Sequence, residues 1–180
     1  MQFFKRLSVA ASLILTLSQN AGAIDAAKEY DIKAAYLMNI GSFVYWPEGV
    51  FTAPSSPFNI CTLGKDPFAG ALEFLLKEYA SIQNHPLAVY RFAQVAEVDV
   101  CHVLFISDSE ILHLSDIVNS LKNKPILLVS DLEHFVLKGG MVEFYQHDSR
   151  IRLRLDPQAF TNAGLKASAH LMRVGTVVSK

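Results

Sequence analysis

Phe58-Asn59-Ile60-Cys61-Thr62-Leu63-Gly64-Lys65-Asp66-Pro67 carries the reading that decides the fold. A mostly apolar run ends at a glycine, and the next residues turn the chain, with Asp66 as a helix N-cap and Pro67 at the first helical position. The spacing predicts a strand over Phe58 to Leu63 and a helix from there through Ala80. The alternation continues downstream. His85 to Phe92, bounded by Pro86, is a second strand, and Val100 to Ile106 a third. A helix capped near Ser107-Asp108-Ser109 then runs to Lys122, and Pro125 to Val129 forms a fourth strand, apolar enough for a buried central position. Strands alternating with helices of this length define a single α/β domain, a largely parallel sheet with helices on its faces.

The end of the chain follows a different pattern. Met141 to Tyr145 and Ile151 to Leu155 predict a C-terminal antiparallel hairpin around His147-Asp148-Ser149. Val142 and Phe144 alternate with Glu143 and Tyr145; Ile151, Leu153 and Leu155 alternate with Arg152 and Arg154. Both apolar sets share a face only if the loop holds an even number of residues, which sets Glu143 opposite Arg152 or Arg154. Pro157 then opens a short helix to Ala163, Gly164 ends it, and Ala167 to Arg173 form a last helical or extended piece.

Upstream, Asp31-Ile-Lys-Ala-Ala-Tyr-Leu-Met-Asn-Ile-Gly-Ser-Phe-Val-Tyr-Trp-Pro-Glu48 is predicted to be one helix that stops at Trp46, because Pro47 cannot continue it. Ile32, Ala35, Tyr36, Ile40, Phe43 and Val44 fall at helical spacing on one side, and Ala34, Leu37 and Met38 extend that surface. Asp31, Lys33, Asn39 and Ser42 are left to face water. So apolar a helix must be largely covered. Either it is core, or its aromatic end, Phe43, Tyr45 and Trp46, also belongs to a partner or dimer surface.

Met1 to Ala23 have the form of a cleaved export signal: Lys5 and Arg6, an apolar run from Leu7 to Leu17, and the small residues Ala21-Gly22-Ala23. The run is shorter than the about 20 residues an ordinary membrane span needs. Cleavage would leave residues 24–180 as one exported domain starting at Ile24. Losing Lys5 and Arg6 turns 16 basic and 17 acidic residues into 14 and 17, a formal charge of −3. That balance speaks against nucleic acid, which asks for a basic domain or stripe. In an oxidising compartment the two cysteines, Cys61 and Cys101, tend to pair; in the cytosol they would be buried thiols. Thr52 to Pro57 is a short loop and not a domain boundary.

Recognisable catalytic chemistry does not assemble. Gly64 to Gly70 lacks the phosphate-loop spacing and GxGxxG, and there is no GxSxG elbow. His85, His102, His113, His134, His147 and His170 are scattered singly, without metal-ligand spacing. Asp108 with Glu110, and Asp131 with Glu133, stand where helix starts favour negative charge. No catalytic residue, metal or cofactor is expected. Arg150, Arg152 and Arg154 share one side of the last strand, with Lys166, His170 and Arg173 close behind. They form either a solvated face with Glu143 as cross-strand partner or a site for an acidic partner patch or a small anion.

Lys33-Ala-Ala-Tyr-Leu-Met-Asn-Ile-Gly-Ser-Phe-Val-Tyr-Trp-Pro47 resembles the opening signature of the YfiR-like family of bacterial periplasmic proteins. Phe58 to Gly64, Cys101-His102-Val103-Leu104-Phe105-Ile106, Gly139-Gly140-Met141-Val142 and Ala163-Gly164-Leu165-Lys166 follow in the family's order, and the resemblance covers roughly Tyr30 to Val174. It implies a disulfide between Cys61 and Cys101, which in the chain-entropy account contributes on the order of 4 kcal/mol. Some relatives carry a second cysteine pair in the C-terminal third, and this chain has none there. Relatives usually have an acid where Arg154 stands and Asn where Asp156 stands, so the partner surface departs from theirs.

The resemblance also implies a function. Similar proteins repress an inner-membrane diguanylate cyclase by binding its periplasmic domain, lowering cyclic-di-GMP signalling and biofilm formation. The expected partner is therefore such a domain or that of another membrane sensor, with a homodimer as the expected assembly. Phe43, Tyr45, Trp46, Arg152 and Arg154 are the candidate partner-binding residues. The alternative is a small-ligand sensor or carrier, holding a metabolite at the strand C-termini between the turns at Gly64 to Asp66 and Ser107 to Ser109.

Overall fold

Phe58–Leu63 forms strand β2 with every residue buried, as an apolar run in mid-sheet requires. In this computed structural model, which describes residues 25–79 and 81–178, β2 pairs in parallel with β4 (His85–Phe92) on one side and β5 (Val103–Ile106) on the other. Beyond β5 lie β6 (Leu127–Ser130) and β7 (Val142–His147), again parallel. Strand β8 (Arg150–Leu155) returns antiparallel. The two-residue strands β3 (Ser81–Ile82) and β10 (Thr176–Val177) complete an eight-stranded sheet of order β10-β8-β7-β6-β5-β2-β4-β3. A separate antiparallel ribbon joins β1 (Val44–Tyr45) to β9 (Lys166–Ala167). The α/β class, the largely parallel sheet and the C-terminal hairpin all stand. The proposed export signal, Met1 to Ala23, lies outside the described residues.

Helix α1 (Ala26–Ile40) and α2 (Ala71–Glu78) cover one face of the sheet. A chain of ring contacts marks it: Tyr30 on Phe68 at 5.7 Å, Phe68 on Phe105 at 4.9 Å, and Tyr36 on Phe144 at 5.8 Å. Leu104, Ile106 and Leu128 alternate to the opposite face and are equally buried. Helix α3 (Leu114–Leu121) covers them with Leu114, Ile117, Val118 and Leu121, a stripe at i, i+3, i+4 and i+7. The short helices α4 (Pro157–Asn162) and α5 (Ala169–Val174) close the β8 side.

The hairpin turns on Asp148 and Ser149, both at positive φ, a two-residue connection that suits strand twist. Its even length pairs Val142 with Leu155, Glu143 with Arg154 and Phe144 with Leu153.

Helix boundaries differ from expectation most clearly in α1, α2 and α3. α1 ends at Ile40 and not at Trp46, a turn of 3-10 helix follows over Gly41–Phe43, and Val44 is already extended. The Phe58 ring lies where a side chain on Gly41 would stand, and β9 recruits Val44 and Tyr45 into a ladder, with Ser168 N donating to Phe43 O at 2.8 Å. α2 begins at Ala71, not Pro67. Asp66 Oδ1 accepts from Phe68 N at 2.9 Å in a local turn, Phe68 is buried against Phe105, and Gly70 at φ +91° precedes the helix. Its expected end, Ala80, lies outside the described residues. After β5, Ser107 caps only a 3-10 turn over Asp108–Glu110, and α3 starts at Leu114. The Ser109 hydroxyl there accepts from Lys65 N at 2.9 Å, which ties this turn to the one after β2.

Candidate functional site: an uncovered side of the first helix

From Ile32 to Ile40 helix α1 carries apolar residues on more than one side, and the fold covers only part of that surface. Ala34, Leu37 and Met38 are fully buried. Ile32, Ala35, Tyr36, Asn39, Ile40 and Phe43 line an open groove of about 400 Å³, completed by Leu153 of β8 and by His170, Leu171 and Val174 of α5. The groove is therefore the side whose spacing first marks α1 as amphipathic. Phe43 stacks on the His170 imidazole at 4.9 Å, which seals one end. The β1–β9 ribbon holds α5 in place, and Ser168 caps that helix by accepting from Leu171 N at 3.2 Å. Sequence spacing gives no sign that α5 supplies the second wall, because that contact is set by strand pairing between segments over 120 residues apart.

Lys33 is not a water-facing residue. It is 4% exposed, with Nζ at 2.5 Å from both Glu29 and Asp131, and 4.4 Å over the Tyr30 ring. Tyr30 donates to Asp131 Oδ2 at 2.9 Å. Burial, then the Asp131 carboxylate, pushes the Tyr30 phenol well above its usual range. This knot pins α1 to the C-terminal end of β6. A charged cleft of about 300 Å³ opens beside it, lined by Glu29, Lys33, Asp131, Glu133, Glu143 and Arg154 among others.

The remaining candidates are spread over the molecule. Trp46 is half-buried, edge-on to Phe58 at 5.5 Å and to His102 at 5.7 Å, with Nε1 donating to Gly41 O at 3.4 Å. Tyr45, on the ribbon, is 62% exposed. Arg152 faces solvent on the sheet side away from the groove. Arg154 lies 3.9 Å over the Tyr145 ring and pairs with Glu143, whose side chain is only 1% exposed and also accepts from Val136 N. The structure thus brings Phe43 into the groove but leaves Tyr45, Trp46 and the two arginines elsewhere.

Cys61 and Cys101 form a disulfide, with Cα atoms 6.0 Å apart and a sequence separation of 40. Beside it His102, 6% exposed, packs against two rings, Phe51 at 4.6 Å and Phe58 at 4.9 Å, which are themselves 6.1 Å apart, and His85 stacks on Phe51 at 3.8 Å. Asn59 N donates to His102 Nδ1 at 2.9 Å, so the neutral ring carries its proton on Nε2. Burial, then the charge of His85, lowers the His102 pKa to about 4.

The turns proposed for a small ligand face each other at the point where strand order reverses, β4 to one side of β2 and β5 to the other. Their own groups fill the space. Lys65 N bonds Ser109 Oγ, and a side chain on Gly64, at φ +85°, would run into Ser109 and Glu110. Among the described residues no three of His, Cys, Asp and Glu converge to hold a metal ion.

Fold and groove together define an α/β domain with an apolar trough along one helix. The chain belongs to the YfiR/HmsC-like family, whose sequence pattern matches residues 30–176. Among solved structures, a conserved domain protein from Vibrio cholerae is similar in fold, with a TM-score of 0.52 at 11% identity. The match covers 83% of this chain and spans 60% of that one. No curated protein sequence matches the chain.

Proposed function

We propose that this protein is a periplasmic regulator without catalytic turnover of its own. It binds the periplasmic domain of an inner-membrane diguanylate cyclase through the α1–α5 groove and lowers cyclic-di-GMP output. Family membership supports the regulatory role, and the disulfide suits an oxidising compartment. No helix among the described residues is long and apolar enough to cross a membrane. An exported protein of this kind reaches a cytoplasmic output only through a membrane-spanning partner, and differential affinity for two states of that partner supplies the coupling.

The observation that carries the reading is the open apolar side of α1 at Ile32, Ala35, Tyr36 and Phe43. A groove of this shape suits an apolar or aromatic segment. Exposed Arg152 and Tyr45 stand outside it and serve as rim contacts at most. Tyr36→Glu and Val174→Glu place charge in the groove; Val174→Glu, at a 54% exposed position, should leave the melting temperature nearly unchanged, whereas Tyr36→Glu also gives up the ring contact on Phe144 and should lower it. They should abolish co-purification with the cyclase's periplasmic domain and raise cellular cyclic-di-GMP. A deletion strain whose cyclic-di-GMP does not rise while the cyclase is expressed overturns the repressor role. Retained binding by both variants overturns the groove as the site.

A further inference from the structure

Beside α3 the fold leaves an apolar cleft with two lysines over it. α3 lines it with Val118, Asn119 and Lys122, and the 3-10 turn Val136–Lys138 with Leu137 and Lys138. A side chain on Gly139, at φ +100°, would run into Val118 Cγ1, so turn and helix pack into one continuous wall. Across the opening, α4 supplies Pro157, Gln158 and Asn162, and β10 supplies Val177. Buried Met141 and Ala159 form the floor of a space of about 670 Å³.

The charges are unevenly placed. Lys122 and Lys138 both belong to the wall formed by α3 and the turn, and neither ammonium is in an ion pair among the described residues. Lys138 Nζ donates to the Glu133 carbonyl at 3.3 Å. The acid among the lining residues, Asp156, is buried and turned to its own helix, with Oδ1 accepting from Gln158 N at 3.0 Å and Ala159 N at 3.3 Å. The α4 wall carries amides and no cation, and Gln158 Nε2 donates to Asn162 Oδ1 at 3.0 Å. Leu137 and Val177, large apolar side chains left exposed, stand on opposite walls. An apolar floor and rims with positive charge on one wall complement an apolar molecule that carries an acid group at one end.

We propose that this cleft binds a small amphiphilic carboxylate, an acyl or aromatic acid. Its carboxylate meets Lys122 and Lys138, and its apolar body lies on Met141 and Ala159 between Leu137 and Val177. The space falls within the roughly 300 to 1,000 Å³ of small-molecule sites. Each lysine keeps its ammonium at the wet rim and adds its stem to the apolar lining. Exposed ion pairs contribute little each, so burial of the apolar body supplies most of the affinity. The lysines select the acid over its neutral or cationic counterpart. Inorganic phosphate gains the lysines but leaves the apolar walls in water. The cleft shares no lining residue with the α1–α5 groove, and the proposal is independent of the regulator reading.

The test titrates purified protein with octanoate and with naphthoate, read by isothermal calorimetry and by amide NMR shifts. Both acids should bind saturably, one per chain, moving the amides of Asn119, Gly139, Gln158 and Val177 while those of Ile32 and Phe43 stay in place. Octanol should bind about three- to tenfold more weakly than octanoate, and inorganic phosphate should not compete. Lys122→Gln with Lys138→Gln, at exposed positions, should keep the melting temperature, weaken octanoate by about the same three- to tenfold and leave octanol unchanged. Val177→Glu, which sets a carboxylate on the far wall, should weaken both acids. Failure of both acids to bind, with the cleft left to a segment of another protein, overturns the proposal. So do shifts confined to the α1–α5 groove, competition by phosphate, or an octanoate affinity indifferent to the two lysine replacements.

Discussion

Glu143 and Arg154 face each other across the β7–β8 hairpin in an ion pair whose carboxylate is 1% exposed and whose guanidinium is 34% exposed. The arrangement is unequal: the acid depends on the base far more than the base depends on the acid. Arg154→Ala leaves a buried carboxylate with, among the described residues, the Val136 N–H as its hydrogen-bond donor. The expected loss is about 2 to 3 kcal/mol in denaturant unfolding, below the about 3 to 5 of a fully buried pair because water reaches Arg154. Arg154→Lys should recover only part of it, since Lys lacks the planar group that covers Tyr145.

Lys33 holds α1 to the end of β6 through Asp131. Lys33→Ala should cost about 3 kcal/mol, because Asp131 loses its charge partner in a nearly dry site. The double change with Asp131→Ala should cost clearly less than the two single changes summed. Additive losses in the denaturation cycle would mean that the pair is not coupled.

The aromatic end of α1 divides by environment. Trp46→Ala empties a space between Phe58 and His102 and should lower stability by about 3 kcal/mol. Tyr45→Ala, at an exposed position, should stay within about 0.5 kcal/mol. Thermal melts of the two variants side by side test the division.

His102 makes stability depend on pH. Its pKa falls from 6.5 in the unfolded chain to about 4 in the fold, so the unfolded chain binds the extra proton first. The stability that the neutral ring brings is complete above about pH 6.5 and is lost as pH falls toward 4, on the order of 3 kcal/mol in all. Unfolding midpoints between pH 7 and 4 should show this slope, and His102→Phe should flatten it while lowering the plateau.

The Cys61–Cys101 bridge closes a loop across the sheet. Unfolded, unreduced protein should titrate no free thiol. Cys61→Ser should lower stability by up to about 4 kcal/mol, the chain-entropy value for a loop of this length.

Much of the fold was legible in the chain itself. The apolar runs of β2 and β6, the strand–helix alternation and the parity of the hairpin are local patterns; parity narrows the partner of Glu143 to Arg152 or Arg154, and the two-residue turn selects Arg154. The boundaries that moved are those set by distant residues. Phe58 crowding Gly41 and β9 capturing Val44 stop α1 six residues before Trp46, and Ser109 bonding Lys65 delays α3.

By itself the sequence determined that α1 is too apolar to stand in water, because periodicity and composition are properties of the segment alone. Only the tertiary structure decided which side of it is core, that Lys33 is buried between two carboxylates, and that α5 walls the remaining side into a groove. Each of these depends on what lies across from a residue, and that is chosen by pairing between segments far apart in the chain.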